Sequence, residues 1–182
     1  MDPAAADGRE SGIFMLEGDS YELLSAFSLR EIIDAVKSAD VVAVDAPLSL
    51  PAGRCCLEHD CSCSRYGHFR RADLELRRYG SVLPLTWRGM RELTMRGMKM
   101  AETLGSMGVK VIETHPRTAD SVAGISGWMS RKLGIEDLEM SVHQRDALIG
   151  GAVAILYCRG DFIELGDPVE GTIILPSPGV EL

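Results

Sequence analysis

The chain has 182 residues, of which 46% are apolar and 25% charged, a balance typical of a soluble globular protein with one sizeable core. No run of residues approaches the roughly 20 apolar positions that a membrane-spanning helix needs, and the acidic first ten residues are unlike a signal peptide. The sequence therefore predicts one domain over residues 1–182, in the cytoplasm and without a membrane partner.

The net charge of −8 argues against a general nucleic-acid-binding surface, but the charge is unevenly distributed. Residues 54–100 carry a net charge of +5, whereas the remainder of the chain carries −13. A basic segment in an acidic protein predicts a local patch that faces a polyanion. An exposed helix with many ion pairs is the alternative, and the sequence leaves both readings open.

The predicted elements begin with a hairpin and a helix, an opening typical of an α/β fold. Residues 12–16 and 21–27 are predicted to form two strands around a turn at Glu17-Gly18-Asp19. Ser28, with Glu31 three residues later, has the spacing of a capping box before a helix over residues 29–37.

The run Val41-Val42-Ala43-Val44 predicts a strand that is buried on both faces. It ends in Asp45 and then Pro47, which cannot continue a central ladder. Ligands bind at strand ends of this kind in open sheets that are covered by helices. Asp45 is therefore a candidate functional residue, although an aspartate that merely opens the turn to the proline would give the same pattern.

Residues 47–85 contain no clear long element apart from a short helix around residues 72–78, and are predicted to be an insertion. Within the insertion, four of the five cysteines fall in nine residues: Cys55, Cys56, Cys61 and Cys63. Clustered thiols in a cytosolic chain favour metal or redox chemistry over structural disulfides. The spacing differs from paired C-x2-C knuckles, and adjacent cysteines reach one zinc ion with difficulty. A structural zinc site, disulfides and free thiols all remain open.

The second half of the chain contains two further acidic residues that are candidate functional residues, Glu113 and Asp146. A long helix over residues 87–107 is followed by a strand over residues 109–113, which ends in Glu113 shortly before a proline. After an irregular region, a helix begins at Ser141 and is predicted to end at a buried Cys158, and a last short strand covers residues 171–176.

The helix that begins at Ser141 places His143 and Asp146 on one face. Its small residues allow close packing on a sheet: Ala147, Gly150, Gly151 and Ala154. Close packing would bring Asp146 towards Asp45, Glu113 and Asp2. Like charges packed together need a cation, and carboxylate oxygens select Mg²⁺ or Mn²⁺. Two such ions about 3.5–4 Å apart suit phosphodiester hydrolysis.

Several stretches of the chain resemble, in order, the domain-of-unknown-function 429 family: MDPAAADGRESGIFML, VVAVDAPLSLP, RRADLELRRYG, GVKVIETHP, HQRDALIGG and EGTIILP. The family consists of predicted nucleases with the ribonuclease H-like fold, a mixed sheet flanked by helices. The resemblance implies a metal-dependent nuclease with Asp2 on the first strand, Asp45 on the fourth and Asp146 on the last helix. His143-x-x-Asp146 is similar to the closing motif of Holliday-junction resolvases of that fold, and Glu113 matches a frequently acidic strand end.

Nucleic acid, either DNA or RNA, is therefore the expected partner, and four arginines are predicted to bind its phosphates: Arg70, Arg71, Arg77 and Arg78. Two alternatives are a catalytically degenerate module that binds nucleic acid or protein, and phosphoryl transfer on a small molecule. The lack of glycine-rich phosphate-binding turns argues against the latter. Because only Met1 precedes Asp2, we expect an upstream start or a missing first strand, with a disordered or edge-like N-terminus. A strand borrowed from a neighbouring copy would instead give a homodimer.

Overall fold

The computed structural model describes residues 1–181 as an α/β architecture with helices on both sides of a mixed sheet. A short 3₁₀ helix spans Ser62–Tyr66 in the Cys-containing segment. The strands and α-helices in the described part of the chain are β1 Ser11–Glu17, β2 Ser20–Ala26, α1 Leu29–Val36, β3 Val41–Val44, α2 Arg71–Leu76, α3 Arg88–Ser106, β4 Lys110–Thr114, α4 Pro116–Ala123, α5 Ile125–Leu133, α6 Val142–Arg159, β5 Phe162–Asp167 and β6 Gly171–Pro176.

The strands form a hairpin and a four-stranded sheet. β1 and β2 pair antiparallel from Ser11 opposite Ala26 to Glu17 opposite Ser20. The larger sheet has the order β3-β4-β6-β5, in which β3, β4 and β6 run parallel and β5 is antiparallel to β6. Parallel pairing of β3 and β4 places the ends of both strands, with Asp45 and Glu113, at the same edge of the sheet.

The first two residues lie between the hairpin and the larger sheet. The Met1 nitrogen donates to the Ala43 carbonyl at 2.9 Å and the Asp45 amide donates to the Met1 carbonyl at 3.0 Å, the pattern of a parallel pair. Asp2 and Gly12 exchange two backbone hydrogen bonds of 2.9 Å each in the antiparallel sense. These residues are thus ordered and buried, whereas a disordered or edge-like N-terminus was expected.

Helices cover both faces of the sheet, and β3 contributes to both cores. Val42 and Val44 pack in a cluster with side chains of α1 and α3, including Ile32, Met100 and others. Ala43 lies in the second cluster, which contains side chains of α4, α5 and α6. The prediction of a strand buried on both faces is therefore confirmed, and Asp45 follows it at the edge between the two layers.

Small residues allow α6 to lie directly against β1. A Cβ atom built on Gly12 would stand 2.0 Å from the His143 carbonyl oxygen, and one on Gly151 would stand 2.4 Å from the Phe14 ring. Both distances are shorter than any real contact, so neither position accepts a side chain without movement of the backbone or ring. This close approach confirms the predicted small face of α6 and fixes where its first turns, with His143 and Asp146, meet the sheet.

The structure also differs from the sequence-based predictions in the second half of the chain. The region before Ser141, predicted to be irregular, contains α4 and α5, and β5 was not predicted at all. Cys158, predicted to be buried, is exposed in the last turn of α6. Within residues 1–181, no helix is both long enough and apolar enough to cross a membrane.

Candidate metal centre

Three aspartates from different parts of the chain converge at the edge of the sheet. Asp2 lies between β1 and β3, Asp45 follows β3, and Asp146 lies in the second turn of α6. Each carboxylate offers an oxygen, and these oxygens all lie within 4.8 Å of one another. The three residues line a cavity of about 710 Å³, so a ligand has access to their carboxylates.

The electrostatics of this aspartate cluster disfavour three bare negative charges. Burial, followed by repulsion from Asp2 and Asp146, raises the pKa of Asp45 well above its usual value. Burial also raises the pKa of Asp2, against the opposing effect of a hydrogen bond with His143. Burial lowers the pKa of the nearby Met1 α-amino group to about 6, so at pH 7.5 this amine supplies little positive charge. A divalent cation would remove the repulsion that raises both aspartate pKa values.

His143 is held by one member of the cluster. Its Nδ1 lies 2.6 Å from Asp2 Oδ2, and its side chain is 43% exposed. The Ser141 capping box fixes the start of α6. The Ser141 hydroxyl accepts a hydrogen bond from the Gln144 backbone N–H, and the Gln144 side-chain oxygen accepts one from the Ser141 backbone N–H. His143 and Asp146, the pair predicted to share a face, both line the cavity. The imidazole of His143 orients Asp2 through its Nδ1 hydrogen bond.

Glu113 does not join the aspartate cluster. Both of its oxygens are bound by the guanidinium of Arg70, at 2.7 Å and 2.5 Å, and Oε2 also accepts from the Leu48 amide at 2.8 Å. Arg70 is fully buried and forms a second ion pair with Asp73 at 2.8 Å. Since these acceptors occupy the guanidinium and no face of it reaches solvent, Arg70 has no site for a phosphate. It is a structural residue, which corrects its predicted role in substrate binding.

The other three predicted arginines are exposed but lie outside the cavity lining. Arg71 pairs with Glu75 at 2.8 Å, and the Arg77 guanidinium lies 4.0 Å from the centre of the Phe69 ring. Arg117, which sequence reasoning missed, does line the cavity, with its Nε 3.6 Å from Asp146 Oδ2 and its side chain 74% exposed. Its position in the first turn of α4, three residues after the end of β4, was the signal that could have identified it.

His115 lines the same cavity and caps α4. Its Nδ1 lies 2.9 Å from the Thr118 hydroxyl and 3.4 Å from the Thr118 amide, which donates to it. Burial, with a contribution from Arg117, lowers the pKa of His115. The imidazole is therefore neutral at physiological pH, with its Nε2 protonated because Nδ1 accepts. His115 thus presents a hydrogen-bond donor rather than a charge.

The four clustered cysteines form a separate group. Their sulfur atoms all lie within 4.8 Å of one another, and each of the five cysteines in the chain is a free thiol. A backbone hydrogen bond from Cys55 lowers the pKa of the Cys63 thiol to about 6, while hydrogen bonds to Cys63 and Cys61 raise the pKa of Cys55 to about 12. Within the described residues, none of these four cysteines lines the aspartate cavity.

No family model, curated protein or solved structure matches this chain. The chemistry of the site must therefore be inferred from its own groups. Three carboxylates are hard oxygen donors, which favour Mg²⁺ or Mn²⁺ over softer transition metals. The polar lining of the cavity also includes the exposed guanidinium of Arg117 and the neutral imidazole of His115.

Proposed function

We propose that this protein is a Mg²⁺- or Mn²⁺-dependent nuclease of the ribonuclease H-like fold, related to the domain-of-unknown-function 429 family, that hydrolyses phosphodiester bonds with two metal ions. The strand positions support the proposal. If residues 1–2 are counted as a first strand, β1 and β2 are the second and third, and Asp45 follows the fourth. Asp146 lies on α6, the last helix of the described chain. These are the positions that the resemblance implies for the three ligands.

The observation that carries the proposal is the convergence of Asp2, Asp45 and Asp146 within 4.8 Å beside a cavity. Buried carboxylates at this separation are unfavourable without a cation, as the raised pKa values of Asp2 and Asp45 indicate. The three would hold the divalent ions. When bound, such ions activate water and neutralise the leaving oxygen in an in-line displacement.

The remaining groups fit a nucleic-acid substrate. Arg117 lies beside Asp146, and its exposed guanidinium supports binding of a phosphate oxygen of the cleaved strand. The cavity lining also includes Tyr79, Leu83 and Met90, whose apolar surfaces suit contact with a sugar or a base. His143 keeps Asp2 oriented through the 2.6 Å hydrogen bond. Glu113 contributes indirectly, because its pair with Arg70 holds the end of β4 in place.

A cleavage screen with Mn²⁺ across branched, duplex, single-stranded and RNA–DNA hybrid substrates tests this function. We expect cleavage of at least one class by the wild-type protein and its loss in Asp45→Asn and Asp146→Asn. Asp40→Asn, which removes an exposed carboxylate just before β3, is the matched control and should cleave normally. Equal cleavage by all four proteins would indicate a contaminating nuclease, and binding without cleavage would favour the degenerate module; either result contradicts the proposal.

A further inference from the structure

The segment between β3 and α2 is built around a buried arginine. Arg54 is only 7% exposed, and its guanidinium donates to four backbone carbonyls. The distances are 2.9 Å to Cys56, 3.2 Å to Glu58, 3.2 Å to Ser64 and 2.7 Å to Gly67. These contacts wrap residues 56–67 around one side chain, so the loop has a defined conformation without long secondary structure.

This wrapping brings the four cysteines together. Cys55 and Cys56 precede the 3₁₀ helix, Cys61 is its N-cap residue and Cys63 lies within it and is buried. The Cys55 and Cys61 sulfurs are 3.8 Å apart, and the Cys56 and Cys63 sulfurs are 3.6 Å apart. All four sulfurs fall within 4.8 Å of one another, although two of the residues are adjacent in sequence.

These separations match a single tetrahedral ion. Zinc–sulfur bonds of about 2.3 Å give a sulfur–sulfur edge of about 3.8 Å in a regular tetrahedron. Disulfide sulfurs are bonded at about 2.05 Å, so neither pair is a disulfide in this arrangement. Thiolates that bind different irons of an iron–sulfur cluster stand farther apart than ligands that share one ion, so the compact group favours a mononuclear site.

The charge around the loop is complementary to such an ion. Zinc bound by four thiolates carries a net charge of −2. Within the described residues no carboxylate pairs with Arg54, whose partners are all neutral carbonyls, so its buried positive charge is uncompensated. A buried unpaired charge is strongly unfavourable, and an anionic centre bound to the same loop would balance it.

We propose that Cys55, Cys56, Cys61 and Cys63 bind one structural Zn²⁺ ion, a site separate from the aspartate cluster. Four protein ligands leave no open position for water or substrate, so the ion stabilises the fold and takes no part in chemistry. The ion fixes the loop that leads into Arg70. The 2.6 Å ion pair of Glu58 with Arg91 joins the same loop to α3. The proposal does not depend on nuclease activity.

Metal content and cobalt substitution test the site. Protein purified under reducing conditions with added Zn²⁺ should contain about one zinc per chain by elemental analysis. Replacement by Co²⁺ should give the thiolate-to-metal charge-transfer and ligand-field absorption of a tetrahedral sulfur site. Cys63→Ser should lose the zinc. Because Cys63 is buried and this variant could misfold, Cys55→Ser, at an exposed ligand position, is the second test and should also lose the zinc. Cys158→Ser, at the exposed fifth cysteine, should retain it.

Stability and thiol titration provide independent readouts. Removal of zinc with a strong chelator should lower the Tm of the wild-type protein and leave the Tm of Cys63→Ser unchanged. Four thiols that react rapidly in the zinc-loaded wild type, in addition to Cys158, would overturn the proposal. So would iron as the bound metal, disulfides in the reduced preparation, or a cobalt spectrum without tetrahedral bands.

Discussion

Asp45→Asn is expected to stabilise the metal-free protein while it removes a proposed metal ligand. The substitution keeps the shape of the side chain but removes the central charge of the aspartate cluster. Asp45 is half-buried at the end of β3, and its carboxylate faces those of Asp2 and Asp146. Most substitutions near a core destabilise a protein, so a gain in stability would be specific to charge repulsion.

The magnitude follows from the separation of the carboxylates. At the 4.8 Å limit that encloses the three groups, two unit charges repel by roughly 3 kcal/mol at an effective dielectric constant of about 20. Access of water reduces this value, and the Met1 amine, whose pKa is about 6, offsets little of it at pH 7.5. We therefore expect a gain of about 1–3 kcal/mol, which corresponds to a Tm rise of roughly 3–10 °C for a chain of this size.

Thermal unfolding of chelator-treated protein at pH 7.5 measures the effect, with Asp40→Asn as the control for an equal change of net charge. The stability difference between Asp45→Asn and wild type should shrink as the pH falls. The raised pKa of Asp45 means that the folded wild-type protein takes up a proton first, so its repulsion is relieved as the pH falls through that pKa towards 3.8. A destabilised Asp45→Asn, or equal gains in both variants, would refute the repulsion argument.

Three further substitutions test other contacts, each beside a control. Arg70→Met leaves two buried carboxylates without a positively charged partner and should destabilise the fold by about 3–5 kcal/mol in urea unfolding, whereas Arg71→Met removes only an exposed pair and should leave stability nearly unchanged. Gly12→Ala places a Cβ against α6 and should cost about 1–3 kcal/mol and weaken Mn²⁺ binding, whereas Gly105→Ala, in open space within α3, should be neutral or stabilising. Arg117→Ala should raise the KM for nucleic acid with unchanged Mn²⁺ affinity; an unchanged KM would rule out its proposed phosphate contact.

The sequence predicted the parts of the fold that have strong local patterns. β3 was identifiable because four small apolar residues precede an aspartate and a proline, and α6 because small residues recur at helical spacing after Ser141. Asp45 and Asp146 could be placed together from these two elements, because close packing of α6 on the sheet brings Asp146 towards the end of β3. The position of Asp2 came from the family resemblance, as local pattern gives no strand there.

The missed elements lack such patterns or carry ambiguous ones. Pro116 was interpreted as the end of a strand, yet proline is also favoured at the first position of a helix, where α4 begins. Gly124 ends α4 in the left-handed conformation and immediately precedes α5, so the helical pattern is interrupted after eight residues. β5 contains a glycine and is defined mainly by its antiparallel pairing with β6, which is a nonlocal contact.

Side-chain partners were the least predictable feature of the site. Glu113 ends its strand much as Asp45 does, but a buried arginine 43 residues away in sequence binds it. Nothing in the local sequence distinguishes Arg70, which is fully buried, from Arg77, which is exposed. The cysteine spacing was similarly ambiguous. The loop contacts of Arg54 bring adjacent cysteines into one compact group, and the spacing alone does not reveal these contacts.

Calorimetric titration with Mn²⁺ measures whether the aspartate cluster binds a divalent ion. We expect binding to the wild-type protein and to Asp40→Asn, and a loss of at least about tenfold in affinity for both Asp45→Asn and Asp146→Asn. The experiment should use zinc-loaded protein with its excess zinc removed, so that the cysteines do not contribute. Mn²⁺ binding of equal affinity in wild type and in both aspartate variants would contradict a metal centre formed by Asp2, Asp45 and Asp146.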